Sequence, residues 1–370
     1  IGEYTPTLYL PQETALPTTG IGRYPASGTP RPRTFAATAK SVNQKRVYTV
    51  GGQVVQSAAT AAYRRTDPVL MDVWLYDVVA GSHKLLYGDQ HLIGLTAVQG
   101  SAVGQFDYAF HPAARHSAAA AVDVTETFLY LQGGCADIDC TKVFNDLWVF
   151  SLKNNHWAWL WGEITPKTAT TGCFGGTYPP IFGHSMLMPG VSSGAPVGDV
   201  ASTLGLTNGD YLYVFGGATL TPTSHPLTTI GPHYTSNALI KVEILMTKSN
   251  GIPVTFTGVT NAFMTGVTCS PVDPPPMGEH RPLSGLTEAV AKSITWLPPA
   301  AVYASMVYDP YHSSFWLYGG MHVARRISSA ADISTSAIHG KTGANGEYII
   351  ADTVKGYFPL SDSGALSWLW

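Results

Sequence analysis

The sequence predicts an all-β chain assembled from four copies of a four-stranded unit, and three observations predict it. Charged residues make up only 12% of the 370 residues while Gly and Pro number 38 and 26, so surface and turns are built from small, turn-forming residues. An apolar run ending in Gly-Gly occurs four times, at Gly51-Gly52, Gly133-Gly134, Gly216-Gly217 and Gly319-Gly320. Each di-glycine is followed, past a loop of variable length, by two further apolar runs. With the apolar run upstream of each, as in His116-Ser-Ala-Ala-Ala-Ala-Val122 or Tyr303-Ala-Ser-Met-Val307-Tyr308, a unit holds four short strands.

The first unit, residues 1–87, places Val47-Tyr-Thr-Val before its glycines, then Asp72-Val-Trp74-Leu-Tyr76 and Lys84-Leu-Leu-Tyr87. The second, 88–161, continues with Asn145-Asp-Leu-Trp148-Val-Phe150 and Trp157-Ala-Trp159-Leu-Trp161. The third, 162–257, offers Asn237-Ala-Leu-Ile240 and Val254-Thr-Phe256. The fourth, 258–370, offers Asp352-Thr-Val354 and Leu366-Ser-Trp368-Leu-Trp370. Four short strands repeated in this way are the blades of a β-propeller.

The pattern resembles the kelch repeat, in which an apolar run and a di-glycine precede spaced aromatic residues near the third and fourth strands. The resemblance implies a kelch-type propeller of four-stranded antiparallel blades, with long inserted loops. Glycine suits these strand ends because positive φ or a close backbone approach excludes a Cβ. The second unit fits best, with Gly133, Gly134, Trp148 and Trp157 all in place. Trp74 matches in the first unit, where Leu85 or Tyr87 stands for the later tryptophan. In the third, Ile240 and Phe256 replace both tryptophans; in the fourth, Val354 replaces the first and Trp368 is retained. Kelch propellers act as adaptors, cell-surface modules, secreted proteins and, in one branch, copper-radical oxidases, so the resemblance speaks to fold more than function.

The di-glycines are 82, 83 and 103 residues apart, against about 50 for a kelch repeat, which leaves long inserts at 24–33, 204–210, 219–232 and 272–286 as expected contact surfaces. Trp159-Leu-Trp161-Gly162-Glu163-Ile164-Thr165-Pro166 is nearly reproduced by reading from Trp368-Leu-Trp370 on to Ile1-Gly2-Glu3-Tyr4-Thr5-Pro6. Four units in phase are expected to close into a ring, to form part of a longer array, or to join other copies head to tail.

Cys135 and Cys140 are spaced to close a short disulfide loop, leaving Cys173 and Cys269 to pair, as expected outside the cell. Two carboxylates, Asp137 and Asp139, are too few for a calcium site. His116 and His184, each followed by Ser, read as occupants of one repeat position with Thr34 as the first-unit equivalent. Two imidazoles near a propeller axis are weak candidates for holding a metal or anion; the competing reading is that they satisfy backbone groups at the strand start. Zinc-type spacings, phosphate-cradling glycine motifs and a Gly-x-Ser-x-Gly elbow do not occur, so no catalytic, cofactor or metal residue is assigned.

A net charge of -3 without basic clusters argues against nucleic acid, and no apolar stretch is long enough to span a membrane. Low charge, the cysteine pair and Thr/Pro-rich segments suit an extracellular or cell-surface protein carrying O-linked sugars. The expected function is a non-catalytic binding or structural scaffold whose partners are proteins, glycans or other copies of itself. The alternatives are an intracellular kelch adaptor and, third, a copper-radical oxidase of the galactose-oxidase kind.

Overall fold

The computed structural model describes residues 28–41, 45–54, 69–88, 96–123, 125–168, 180–189, 211–220, 233–235, 239–249, 252–263, 302–309, 314–318, 320–323, 347–349, 353–357 and 367–369. All regular structure among them is β. In the first unit β1 (Arg33–Thr34) and β2 (Ala37–Lys40) both pair with β3 (Arg46–Val54), followed by β4 (Val69–Asp77) and β5 (Ser82–Tyr87). The second unit is the meander β6 (Ala119–Val122), β7 (Phe128–Gln132), β8 (Leu147–Ser151) and β9 (His156–Trp161).

The third unit has β10 (Ser185–Leu187) and β11 (Tyr211–Phe215), then the small pair β12 (Ala218–Leu220) and β13 (His233–Thr235), then the long hairpin β14 (Leu239–Ser249) and β15 (Ile252–Phe263). The fourth repeats that plan with β16 (Ser305–Asp309), β17 (Ser314–Tyr318), the pair β18 (Met321–Val323) and β19 (Glu347–Ile349), β20 (Thr353–Tyr357) and β21 (Ser367–Leu369). All ladders are antiparallel.

Side chains alternate across a strand, so a sheet buried on both faces divides its residues between two cores. The second unit does this residue by residue. Ala120, Val122, Leu129, Leu131, Trp148, Phe150 and Trp157 pack with Ala37, Tyr48, Val50 and Met71 of the first unit. Their neighbours Ala119, Ala121, Tyr130, Leu147, Val149, Ala158 and Leu160 pack with Met186, Leu212, Val214, Ile240 and Val242 of the third. The sheets therefore stack face to face, and the first strands β2, β6, β10 and β16 lie side by side in that order.

Backbone bonds lock the stack. The Gly52 N–H donates to the Arg115 carbonyl and the Gly134 N–H to the Ile181 carbonyl, each crossing from one unit to the next (2.9 and 2.8 Å). Gly51 and Gly133 have φ of 59° and 62°, Gly52 and Gly134 of 101° and 99°. A Cβ on Gly51 would sit 2.6 Å from the Arg115 carbonyl oxygen, and one on Gly134 2.7 Å from that of His116. Conformation and crowding both demand glycine there. Gly216, Gly217 and Gly320 also have positive φ, while Gly319 lies outside the described residues.

Ladder register corrects parts of the sequence reading. Trp157 pairs with Phe150; the first-unit pair in that place is Tyr76 with His83, so His83 stands at the Trp157 position and Leu85 at that of Trp159. In the third unit Asn261, opposite Val242, takes the Trp157 position rather than Phe256. Phe256 lies farther along the hairpin, opposite Met246, and β15 continues past Thr257 to Phe263. In the fourth unit Trp368, opposite Gly356, does hold the register of Trp157. The inserts at 204–210 and 272–286 lie outside the described residues, as do 24–27 of the insert at 24–33 and 221–232 of that at 219–232.

Candidate functional site at the inner strand ends

In each unit a residue of left-handed backbone lies two positions before the inner strand, β2, β6, β10 or β16: Phe35 (φ 53°), Ser117 (54°), Gly183 (61°) and Tyr303 (58°). Bulky residues rarely adopt this conformation, so its recurrence in Phe and Tyr marks a position the architecture imposes. The four are linked in sequence. The Phe35 carbonyl accepts the Ser117 N–H (2.7 Å), the Ser117 carbonyl accepts the Gly183 N–H (2.7 Å), and the Gly183 carbonyl accepts the Tyr303 N–H (2.5 Å). Among the described residues no bond from the Phe35 N–H to the Tyr303 carbonyl completes the cycle.

Below this chain of bonds lies a cavity of about 320 Å³, lined by four consecutive residues from each unit, 35–38, 117–120, 183–186 and 303–306. Phe35 and Tyr303 are 44% and 42% exposed with ring centroids 5.4 Å apart, so two aromatic faces flank the mouth. Gly183 makes room for this, since the Tyr303 ring is 3.1 Å from where its Cβ would stand. Thr38, Ser117, Ser185 and Ser305 add hydroxyls, and none of the lining residues is Lys, Arg, Asp or Glu. The chemistry on offer is hydrogen bonding and ring stacking.

His116 sits beside the mouth. Its Nε2 is 2.8 Å from the Asp137 carbonyl, which can only accept, so Nε2 carries the proton and Nδ1 accepts from the Ser117 hydroxyl at 3.0 Å. The Ser117 oxygen in turn accepts from the Tyr303 hydroxyl at 3.0 Å. Burial lowers the His116 pKa and keeps the ring neutral, although the Asp137 carbonyl and charge pull the other way. Burial also raises the Tyr303 pKa.

His184 is not the equivalent of His116. The left-handed residues align Thr34, His116, Phe182 and Val302, and place His184 two positions later, with Ala36, Ala118 and Ala304. The ladders agree, because His116 pairs with Cys135 as Phe182 pairs with Ala218. His184 is buried against Gly133 and Gly217, both ring nitrogens lack hydrogen-bond partners, and desolvation lowers its pKa to about 3. The two imidazoles thus occupy different environments and do not form one ligand pair.

Cys135 and Cys140 form a disulfide, while Cys173 and Cys269 lie outside the described residues. His116, Cys135 and Cys140 bring three metal-capable atoms within 4.8 Å of one another. Here the sulfurs are bonded to each other and both imidazole nitrogens are engaged. The Asp137 carboxylate accepts from the Thr141 hydroxyl and the Lys142 N–H, which closes the loop on itself.

Sequence reasoning missed a structural constellation. The Arg115 guanidinium forms two bonds to the Asp146 carboxylate (2.5 and 2.8 Å) and one to the Gly133 carbonyl (2.9 Å), and Trp148 Nε1–H donates to the same carboxylate (2.7 Å). Arg33, Asp72, Gly51 and Trp74 repeat the arrangement in the first unit. Trp74, Trp148 and the glycines are thus anchors of the repeat. The overlooked signal was an arginine 18 residues before the first glycine in both units. In the third unit Ile181 holds the arginine position and stands 35 residues before Gly216, which obscures it.

No family model matches the chain, and no curated protein matches it. Among solved structures, that of YjhT aligns over 92% of this chain and 84% of its own at 11% identity, with a TM-score of 0.38. The class is defined by the chain's own geometry: four-stranded antiparallel meanders, stacked face to face, whose first strands line a common cavity make a β-propeller architecture. Among the described residues no helix is long and apolar enough to cross a membrane.

Proposed function

We propose that the chain is a kelch-type propeller module that works by binding, as an extracellular or cell-surface scaffold. The observation that carries the reading is the mouth of the inner strands, where two half-exposed aromatic rings and several hydroxyls surround an uncharged cavity. Such a surface offers ring stacking and directed hydrogen bonds to a ligand. The Cys135–Cys140 disulfide supports a place outside the reducing cytosol. It also engages both described cysteines, so neither of these two is free for a tyrosine cross-link of the radical-oxidase kind.

Two measurements test this. Thiol titration of the unfolded protein from its native source should find the pair oxidised; four reactive thiols would favour the intracellular adaptor instead. Screening Phe35→Ala and Tyr303→Ala beside the parent chain against extracellular proteins and neutral glycans should find ligands that the parent retains and the variants lose. Ligands bound equally by all three would move the contact surface to the inserted loops.

A further inference from the structure

His116, Cys135 and Cys140 meet on backbone that holds its place without help from their side chains. His116 and Cys135 are bridge partners: the Cys135 N–H donates to the His116 carbonyl (2.8 Å) and the His116 N–H to the Cys135 carbonyl (3.0 Å). The loop that carries Cys140 is closed by the Ala136 N–H on the Lys142 carbonyl (2.8 Å) and the Lys142 N–H on the Asp137 carboxylate (3.0 Å). All three residues are buried, and one imidazole nitrogen and the two sulfurs lie within 4.8 Å of one another.

The donor set suits a borderline-soft cation. Two thiolates and an imidazole are ligands that zinc takes, and a tetrahedral ion bonded at about 2.3 Å to sulfur and about 2.0 Å to nitrogen holds such atoms about 3.5–3.8 Å apart. The Cys135–Cys140 bond withholds both sulfurs from an ion. A dithiol reductant supplies two electrons and two protons, opens that bond to two thiols and is itself left as a disulfide. A divalent ion then displaces the two thiol protons.

We propose that His116 and the reduced pair Cys135 and Cys140 form a zinc site, closed by the disulfide in an oxidising setting and opened by reduction. The His116 tautomer follows the change. Nε2, which faces the loop through its bond to the Asp137 carbonyl, becomes the ligand, and the imidazole proton moves to Nδ1, which donates to Ser117 Oγ. The Ser117 hydroxyl then donates to Tyr303 Oη, whose own proton is left for solvent at the mouth, so this relay of bonds reverses without breaking. The Asp137 carbonyl keeps the Cys140 N–H at 3.0 Å and is not orphaned.

The test uses the full chain, reduced with a dithiol, desalted without air and titrated with zinc against a chromophoric chelator. The reduced parent should bind at least one ion more than the oxidised parent, and one more than reduced Cys135→Ser/Cys140→Ser, which leaves Cys173 and Cys269 untouched. His116→Gln should weaken binding by more than about tenfold, and Ser117→Ala, which keeps every ligand but removes the acceptor of the Nδ1 proton, by about tenfold. With cobalt in place of zinc, the reduced parent should show thiolate-to-metal charge-transfer absorption that the double cysteine variant lacks. A reduced parent that binds no more zinc than the oxidised parent would overturn the proposal, and this comparison needs no variant to fold. So would a double cysteine variant that binds as much as the parent, or an affinity unmoved by His116→Gln.

Discussion

Arg115 and Asp146 form a bidentate ion pair between side chains only 1% and 0% exposed, with the guanidinium also 4.1 Å from the centroid of the Phe144 ring. Isolating either charge in that interior is far costlier than losing both together. The third unit carries the paired loss, with Ile181 at the arginine position and Ala238 at the aspartate position by ladder register. Arg115→Ile and Asp146→Ala are each expected to destabilise the chain by about 3–5 kcal/mol, and the double variant by well under the sum. Urea denaturation of all four proteins checks this; strict additivity would mean that the pair is not coupled.

The glycines of the strand ends separate two costs. Gly81 has φ 62° and open space around a would-be Cβ, so Gly81→Ala pays only for left-handed backbone, about 1–2 kcal/mol. Gly51→Ala adds contacts of 2.6 and 2.9 Å with two carbonyl oxygens, of Arg115 and Leu70, one of them across the unit junction. Its melting temperature should fall well below that of Gly81→Ala. Equal losses would show that the backbone at Gly51 can yield.

Much of the fold was legible in the residues because its determinants are local. The di-glycines, the apolar runs of β7 and β8, and the 135–140 spacing each lie within one short segment. The Arg115–Asp146 pair was not legible, since its members are 31 residues apart and two of the four units lack the complete set. His184 misled because His-Ser before small residues resembles His116-Ser117; only the left-handed residue, Gly183 in one unit and Ser117 in the other, fixes the true register. The full length of β14–β15 was missed although Asn250-Gly251, a dipeptide suited to tight hairpins, stands between the strands. The aromatic mouth is assembled from positions 35 and 303, which no linear motif connects.

The 135–140 disulfide closes a loop that backbone bonds already shape, from Ala136 N–H to the Lys142 carbonyl and from Cys140 N–H to the Asp137 carbonyl. Chain entropy for so short a loop amounts to about 2 kcal/mol. Cys135→Ala/Cys140→Ala should lower stability by about that much without unfolding the chain, as read by thermal denaturation. Loss of the cooperative transition would give the loop a larger role, through the packing of Cys135 on Phe182 and Val143.

His184 makes stability pH-dependent with a definite sign. Its folded pKa, about 3, lies below the ordinary histidine value of 6.5, and desolvation is the cause. Between these values the unfolded chain binds a proton that the folded chain refuses, so stability is full above pH 6.5 and is lost as pH falls toward 3. At pH 4.5 the loss from this group is about 2–3 kcal/mol, with His116, also lowered by burial, adding in the same direction. Urea denaturation at pH 7 and pH 4.5 should show the decline. His184→Gln, which cannot take the charge, should flatten most of it even if it is less stable at pH 7. A variant whose pH slope matches the parent would mean that water reaches His184 in the folded state.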